Sequence, residues 1–283
     1  MLSELLIIQG ICERGLIFSL IIMALYLTSR IIHFDDLSLE GSFGLGGASM
    51  ALLLSKNIPW YCALPLIIVS GALSGLATGL LHTQLKLNNL ISGIVVTTAL
   101  FSINLKIAGS NMVIGKATTI FNLLPASIAP IKLVTLIPLA MIVLYTIKWL
   151  LKTECGFLLR AVGDNKQILI NLGKNPDLYI IAALMISNSI NAFCGALFVQ
   201  YVGYFSIWSS VGMLIIALAG LILSETISRG FGYNILLGGI LYQAIIAATF
   251  EFNVDPEWNK LITACLIIFM IGLRQYTTLL NRK

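Results

Sequence analysis

The side chains whose types could do chemistry are few in this 283-residue sequence, and their spacing permits little of it. His33 and His82 stand 49 positions apart, each near the edge of an apolar stretch, which gives poor support to a histidine metal site or a catalytic base. The cysteines at 12, 62, 155, 194 and 265 form no C-x-x-C pair, and four lie in or beside apolar stretches. Inert thiols are expected, not a disulfide framework or zinc site. H-E-x-x-H and G-x-S-x-G are absent. The nearest approach to a phosphate-binding loop, GSNMVIGKA at 109–117, has five spacer residues and no hydroxyl after Lys116. We therefore expect no metal and no cofactor on this chain, and no nucleotide bound by it. An intramembrane enzyme would need a nucleophile with its base or a ligand cluster, and neither is visible.

Uncharged polar groups inside apolar stretches are the remaining candidates. Ser102 and Asn104 fall in one such stretch, and Ser187, Asn188, Ser189 and Asn191 in another. They suit either the lining of a translocation path, for which Ser102, Asn104, Asn188 and Asn191 are the candidates, or hydrogen bonds between helices. Lys106 sits close to a stretch's end, where it either snorkels to the interface or meets a solute. No carboxylate reads as deep, which weighs against an ion-coupled secondary transporter, the alternative reading.

The longest polar stretch, KTECGFLLRAVGDNKQILINLGKNP at 152–176, is the most informative. Asp164 and Gln167 have the D-x-x-Q spacing of a capping box, which predicts a short helix, and Gly173 can stop it. Ile168 and Leu172 are i, i+4, with Leu169 beside them, while Lys166 and Asn171 can stay wet. The result is an amphipathic turn with no obvious neighbour in its own chain. Such a face asks for a protein partner or for the membrane interface.

The elements that must position these residues follow from composition. Hydrophobic residues make up 58% of the chain and charged residues 10%, with mean hydropathy +0.97, against roughly 25% charged in soluble domains. Lipid must cover what charge does not. Uncharged runs near 15–32, 60–81, 89–108, 133–151, 178–199, 232–250 and 259–273, with shorter glycine-bearing ones near 41–55 and 209–224, predict helices of about 20 residues. The expected fold is all-α, a polytopic transmembrane bundle of eight to ten spans including short or interrupted glycine-rich helices, in a single domain over 1–283. Alternating β-barrel strands are not found.

The net charge of +5 is dispersed between apolar segments, which suits topology and not nucleic acid. With the loop at 152–176 inside, Arg30, Lys86, Lys148, Lys152, Arg160, Lys166, Lys174, Arg229, Arg274, Arg282 and Lys283 are inside. Arg14, Lys56, Lys106, Lys116, Lys132 and Lys260 are left outside, with the acidic residues Glu251, Asp255 and Glu257. That frame puts the C-terminus in the cytoplasm. Gly71, Gly75 and Gly79 form a doubled G-x-x-x-G, which predicts close helix packing.

The loop resembles that of ABC importer permeases of the branched-chain amino acid and simple-sugar class, which carry G-x-x-x-R-A-x-G-x-N, a helix and a glycine. Gly156, Arg160, Ala161, Gly163, Asn165 and Gly173 match it, and the stretches 25–48, 79–109 and 212–225 are similar too. The resemblance implies a permease domain with a cytoplasmic coupling loop at 152–177 in a bacterial plasma membrane, working as a homodimer or half of a heterodimer. Its partners would be ABC ATPase subunits holding ATP and magnesium, a periplasmic or lipoprotein solute-binding protein, and membrane lipid. Arg160 would be a charge-assisted anchor and Ile168, Leu169 and Leu172 buried knobs, with Asp164 starting their helix. Residues 168 and 169 depart from the family, whose members often carry alanine there. DLSLEGSF and SINLKIAG look most like a subgroup linked to amino-acid uptake, including aromatic amino acids. Asp36 and Glu40 belong to that stretch, where they either hold a helix at the membrane surface or touch solute.

Overall fold

The computed structural model describes residues 2–115, 117–122, 131–228, 230–251 and 258–280. Lys116, Arg229, Asp255, Glu257, Arg282 and Lys283, assigned sides above, lie outside the described residues. The chain runs α1 (Leu2–Tyr26), a π-helical turn (Leu27–Ile31), α2 (Ser38–Ser55), α3 (Trp60–Thr83), α4 (Asn89–Ala108) and α5 (Ile131–Leu150). The short α6 (Glu154–Asp164) and α7 (Lys166–Asn171) come next, then α8 (Pro176–Val202), α9 (Met213–Ile227), α10 (Tyr233–Glu251) and α11 (Asn259–Leu280). Each apolar run read from the sequence is a helix.

Six of the described helices are long and apolar enough to cross a membrane, while Tyr233–Thr249 and Leu261–Met270 are shorter apolar helices. Helix α2 misses that test because glycine and serine dilute its apolar residues. Two short strands were not foreseen: β1 (Asn111–Val113) pairs antiparallel with β2 (Tyr204–Ser206), Met112 opposite Phe205. Three residues carry no alternation long enough to read as a strand.

Helix α8 is the post of the bundle. Asn175 caps it by accepting from Asp177 N–H, Pro176 fills its first turn, and Gly203, at φ +92°, ends it. Helix α3 lies along it on the doubled glycine motif: a Cβ at Gly71 would come 2.6 Å from the Asn188 carbonyl oxygen, and one at Gly75 would overlap the Leu184 carbonyl. On another side α2 is equally close, with Gly46 against Ala192 and Gly195 against the Phe43 carbonyl. Backbone proximity replaces the hydrophobic incentive that lipid removes. Gly75→Val is therefore expected to destabilise the protein by about 1–3 kcal/mol or more through overpacking. Gly10→Ala, where nothing lies within 4 Å of a Cβ, should be neutral or slightly stabilising. Recovery of monodisperse protein after heating in detergent separates the two.

The basic residues sort to the two ends of the bundle. At one end lie the π-helical turn with Arg30, the α3–α4 turn with Lys86, α6, α7 and the start of α8. Arg30 ties this end together through Glu225 on α9, with Nε–Oε1 at 2.5 Å and Nη2–Oε2 at 3.1 Å. The β1–β2 pair marks the opposite end, together with Lys56 and Lys132, whose Nζ donates to the Tyr201 carbonyl.

Candidate functional site

Helices α6 and α7 form an elbow against the bundle. Thr153 caps α6 by accepting from Gly156 N–H at 3.4 Å, and α6 packs by its glycines: a Cβ at Gly156 would overlap the Leu150 carbonyl, and one at Gly163 the Ile31 carbonyl of the π-helical turn. Ala161 is half-buried against the main core, and Arg160 is exposed. The cap of α7 differs from the one expected. Asp164 is the last residue of α6, and it is Asn165 whose Oδ1 accepts from Gln167 N–H at 2.9 Å. Asn165 wins because its extended backbone, at φ −160°, breaks the two helices apart, so the cap falls one residue later than the D-x-x-Q spacing indicates. Gly173, at φ +70°, stops α7 as read, with Lys174 N–H donating to the Leu169 carbonyl.

The amphipathic turn has two faces, and Leu169 is on the inner one. It is 0% exposed in the main hydrophobic core with Val162 and Ile180, so it is a correction to the set of docking knobs: it holds α7 to its own bundle. Ile168 is 43% exposed and Leu172 61%, with Ile170 also bare. These apolar side chains have nothing over them among the described residues.

A second polar constellation surrounds the start of α2. This helix begins midway along α8, and its first turns are held by side chains from α8 and α4. Asp36 is 2% exposed. Its Oδ1 accepts from Ser38 N–H at 2.8 Å and from the Ser38 hydroxyl at 2.5 Å, and its Oδ2 accepts from Asn188 Nδ2 at 2.9 Å. Asn191 Nδ2 donates to the Leu39 carbonyl and to Ser42 Oγ, and Asn104 Nδ2 donates to the Gly41 carbonyl at 3.2 Å. Asn104, Asn188 and Asn191 are thus buried in this conformation, each with its amide Nδ2 engaged at the start of α2. The expectation that no carboxylate is deep is corrected, since Asp36 and Glu13, 4% exposed, are both buried. Linear hydropathy missed Asp36 because the chain turns inward after the π-helical turn. Its oxygens are engaged as a helix-starting turn, which suits a structural role better than an ion path. Glu40 is half-buried on the first turn of α2.

Ser102 behaves differently. On α4 it is exposed, its hydroxyl only 3.5 Å from the Thr98 carbonyl, and Thr98, Ser102 and Lys106 make one i, i+4, i+8 stripe on the exposed face. Lys106 makes no ion pair among the described residues. The stripe was half-legible: Ser102 and Lys106 were singled out in the sequence, and Thr98 joins them by spacing.

No cluster of three or more His, Cys, Asp or Glu able to hold a metal occurs among the described residues. The described cysteines are all free thiols.

A family model described as the permease component of branched-chain amino acid transport systems matches residues 7–271. The tyrosine transport system permease protein of Clostridioides difficile (strain R20291) is 34% identical over 271 residues, which cover 94% of this chain and 90% of that one. An uncharacterized protein of Rickettsia prowazekii (strain Madrid E) is 28% identical over 272 residues, 92% and 95% of the two chains. The autoinducer 2 import system permease protein LsrC of Yersinia pseudotuberculosis is 24% identical over 240 residues, 82% of this chain and 67% of that one. No solved structure matches.

Proposed function

This chain belongs to the permease-component family of branched-chain amino acid transport systems and is the membrane permease of an ABC importer, and from that premise we propose that it takes up an amino acid, with tyrosine the first to test. The relative at 34% identity named for tyrosine transport supports this solute. In this reading the bundle crosses the bacterial plasma membrane nine times: the six long spans plus α2, α10 and α11. The elbow of α6 and α7 and the C-terminus face the cytoplasm, which suits the seven described basic residues near that end: Arg30, Lys86, Lys148, Lys152, Arg160, Lys166 and Lys174.

The observation that carries the reading is the bare pair Ile168 and Leu172 on a chain with no nucleotide-binding motif. Energy must reach the path through a protein contact, and these side chains are the contact we assign to the ABC ATPase subunit, which holds ATP and magnesium. Arg160 stands exposed on the same elbow as a charged anchor. A solute-binding protein, periplasmic or a lipoprotein, delivers to the opposite end. An ion-coupled carrier is the weaker reading, because the carboxylate Asp36 is engaged by Ser38 and Asn188. Reconstitution with the ATPase and binding protein tests the whole assignment: ATP-dependent tyrosine uptake is expected, and uptake driven by a proton or sodium gradient without ATPase would overturn it.

The stripe Thr98, Ser102 and Lys106 supports a position for the path. Polar side chains on an exposed face of a spanning helix are costly against lipid, so we assign that face to a water-filled path shared with a second permease copy. Ser102→Cys in the assembled importer should react with a membrane-impermeant thiol reagent at least about tenfold faster than Ile142→Cys, on the exposed apolar face of α5. Equal protection of the two would exclude α4 from the path.

A further inference from the structure

Between the elbow and the bundle lies a partly open cavity of about 210 Å³. Its walls come from five separate pieces of chain: the exit of the first span at His33 and Phe34, the end of α3 at His82, the start of α4 at Asn89, the α6–α7 junction, and Ile180 on α8. The junction contributes both signs of charge, Asp164 and Lys166, and among the described residues neither makes an ion pair. The lining also includes Phe34 and Ile180, both buried, with the Phe34 ring edge-on to His82 at 5.1 Å between centroids. The His82 ring is fixed by Nδ1 at 2.9 Å from the Leu87 carbonyl.

We propose that this cavity is a second, cytoplasmic-side site for the transported amino acid, through which solute that has accumulated inside slows its own import. The inference rests on the amino-acid reading above. A zwitterion matches the lining: its ammonium group meets Asp164, its carboxylate meets Lys166 with the Asn89 amide, and its side chain lies against Phe34 and Ile180. A plain anion would leave Asp164 repelling it, and a plain amine would do the same to Lys166.

The site's place gives it leverage. The elbow carries the face assigned to the ATPase, and the cavity is the seam between the elbow and the bundle. An occupant tied to both sides binds best in the conformation with these wall distances, and it shifts the population toward that conformation by its differential affinity.

Two measurements test this independently. Calorimetry on the detergent-purified permease alone should detect one tyrosine per chain. Neither tyramine nor N-acetyltyrosine, each lacking one of the two charges, should bind there. In proteoliposomes carrying the full importer with ATP in the lumen, tyrosine preloaded inside should lower the initial rate of tyrosine uptake about fivefold or more, a coupling of ordinary allosteric size. Lys166→Gln and Asn89→Leu should each raise the half-inhibiting concentration about tenfold, the loss expected for one charge-assisted hydrogen bond, with each variant normalised to its own uninhibited rate. Tyrosine that is taken up but does not bind the purified chain by calorimetry, or inhibition unchanged in both variants, would overturn the site itself. Failure of tyrosine to be taken up from outside would overturn the solute reading instead.

Discussion

Replacing Ile168 and Leu172 together by aspartate is expected to leave the permease folded in the membrane and to strip it of its ATPase. Each side chain, if fully covered by the partner, contributes roughly 1.5–3 kcal/mol of apolar burial, and each introduced carboxylate would have to be desolvated in its place. A loss of roughly 4–6 kcal/mol weakens association by about three to four orders of magnitude, so co-purification and uptake should both vanish. The neighbouring residue gives the contrast. Leu169→Ala empties a place in the permease's own core and should cost about 2–5 kcal/mol of stability. It lowers the yield of folded permease, while the chains that fold keep Ile168 and Leu172 bare and should still capture ATPase. Undiminished co-purification of the double aspartate variant would move the docking face elsewhere.

That contrast marks how far the sequence could be read. Periodicity at i, i+4 identified an amphipathic turn, and Gly173 fixed its end, because both are local properties of the chain. Which side of the turn faces the bundle is not local: Leu169 sits inward because Gly163 lets α6 touch the Ile31 carbonyl, and that sets the roll of everything after it. The doubled glycines of α3 read correctly as a packing face, since close backbone approach leaves no substitute for glycine. Asp36 was misplaced for the opposite reason. Two adjacent aspartates look like a surface turn in a linear scan, yet the chain carries the second of them to the middle of α8. The strands β1 and β2 left no signal, being three residues each and paired across more than ninety positions of sequence.

Asn188→Leu should be among the most damaging single changes in the bundle. It removes the donor on Asp36 Oδ2, leaving a buried carboxyl group short of a partner. Leaving a buried polar group without its partner costs roughly 1–3 kcal/mol, more than the hydrogen bond contributes when made, because the desolvation of the carboxyl group remains. The start of α2 would then lose its anchor on α8, and unfolding in detergent should occur at markedly lower temperature. The cause can be separated from simple misfit by removing the carboxyl group too. Asp36→Ser keeps an oxygen for the Ser38 N–H in a weaker turn of the same kind and leaves no carboxyl group to strand. The double variant should therefore be more stable than the sum of its parts by about 1–3 kcal/mol, a coupling readable from a double-mutant cycle of thermal or denaturant midpoints. Additivity within about 0.5 kcal/mol would mean that Asn188 only fills space beside α2. Measured coupling would instead make the buried pair the pin on which the interrupted helix turns.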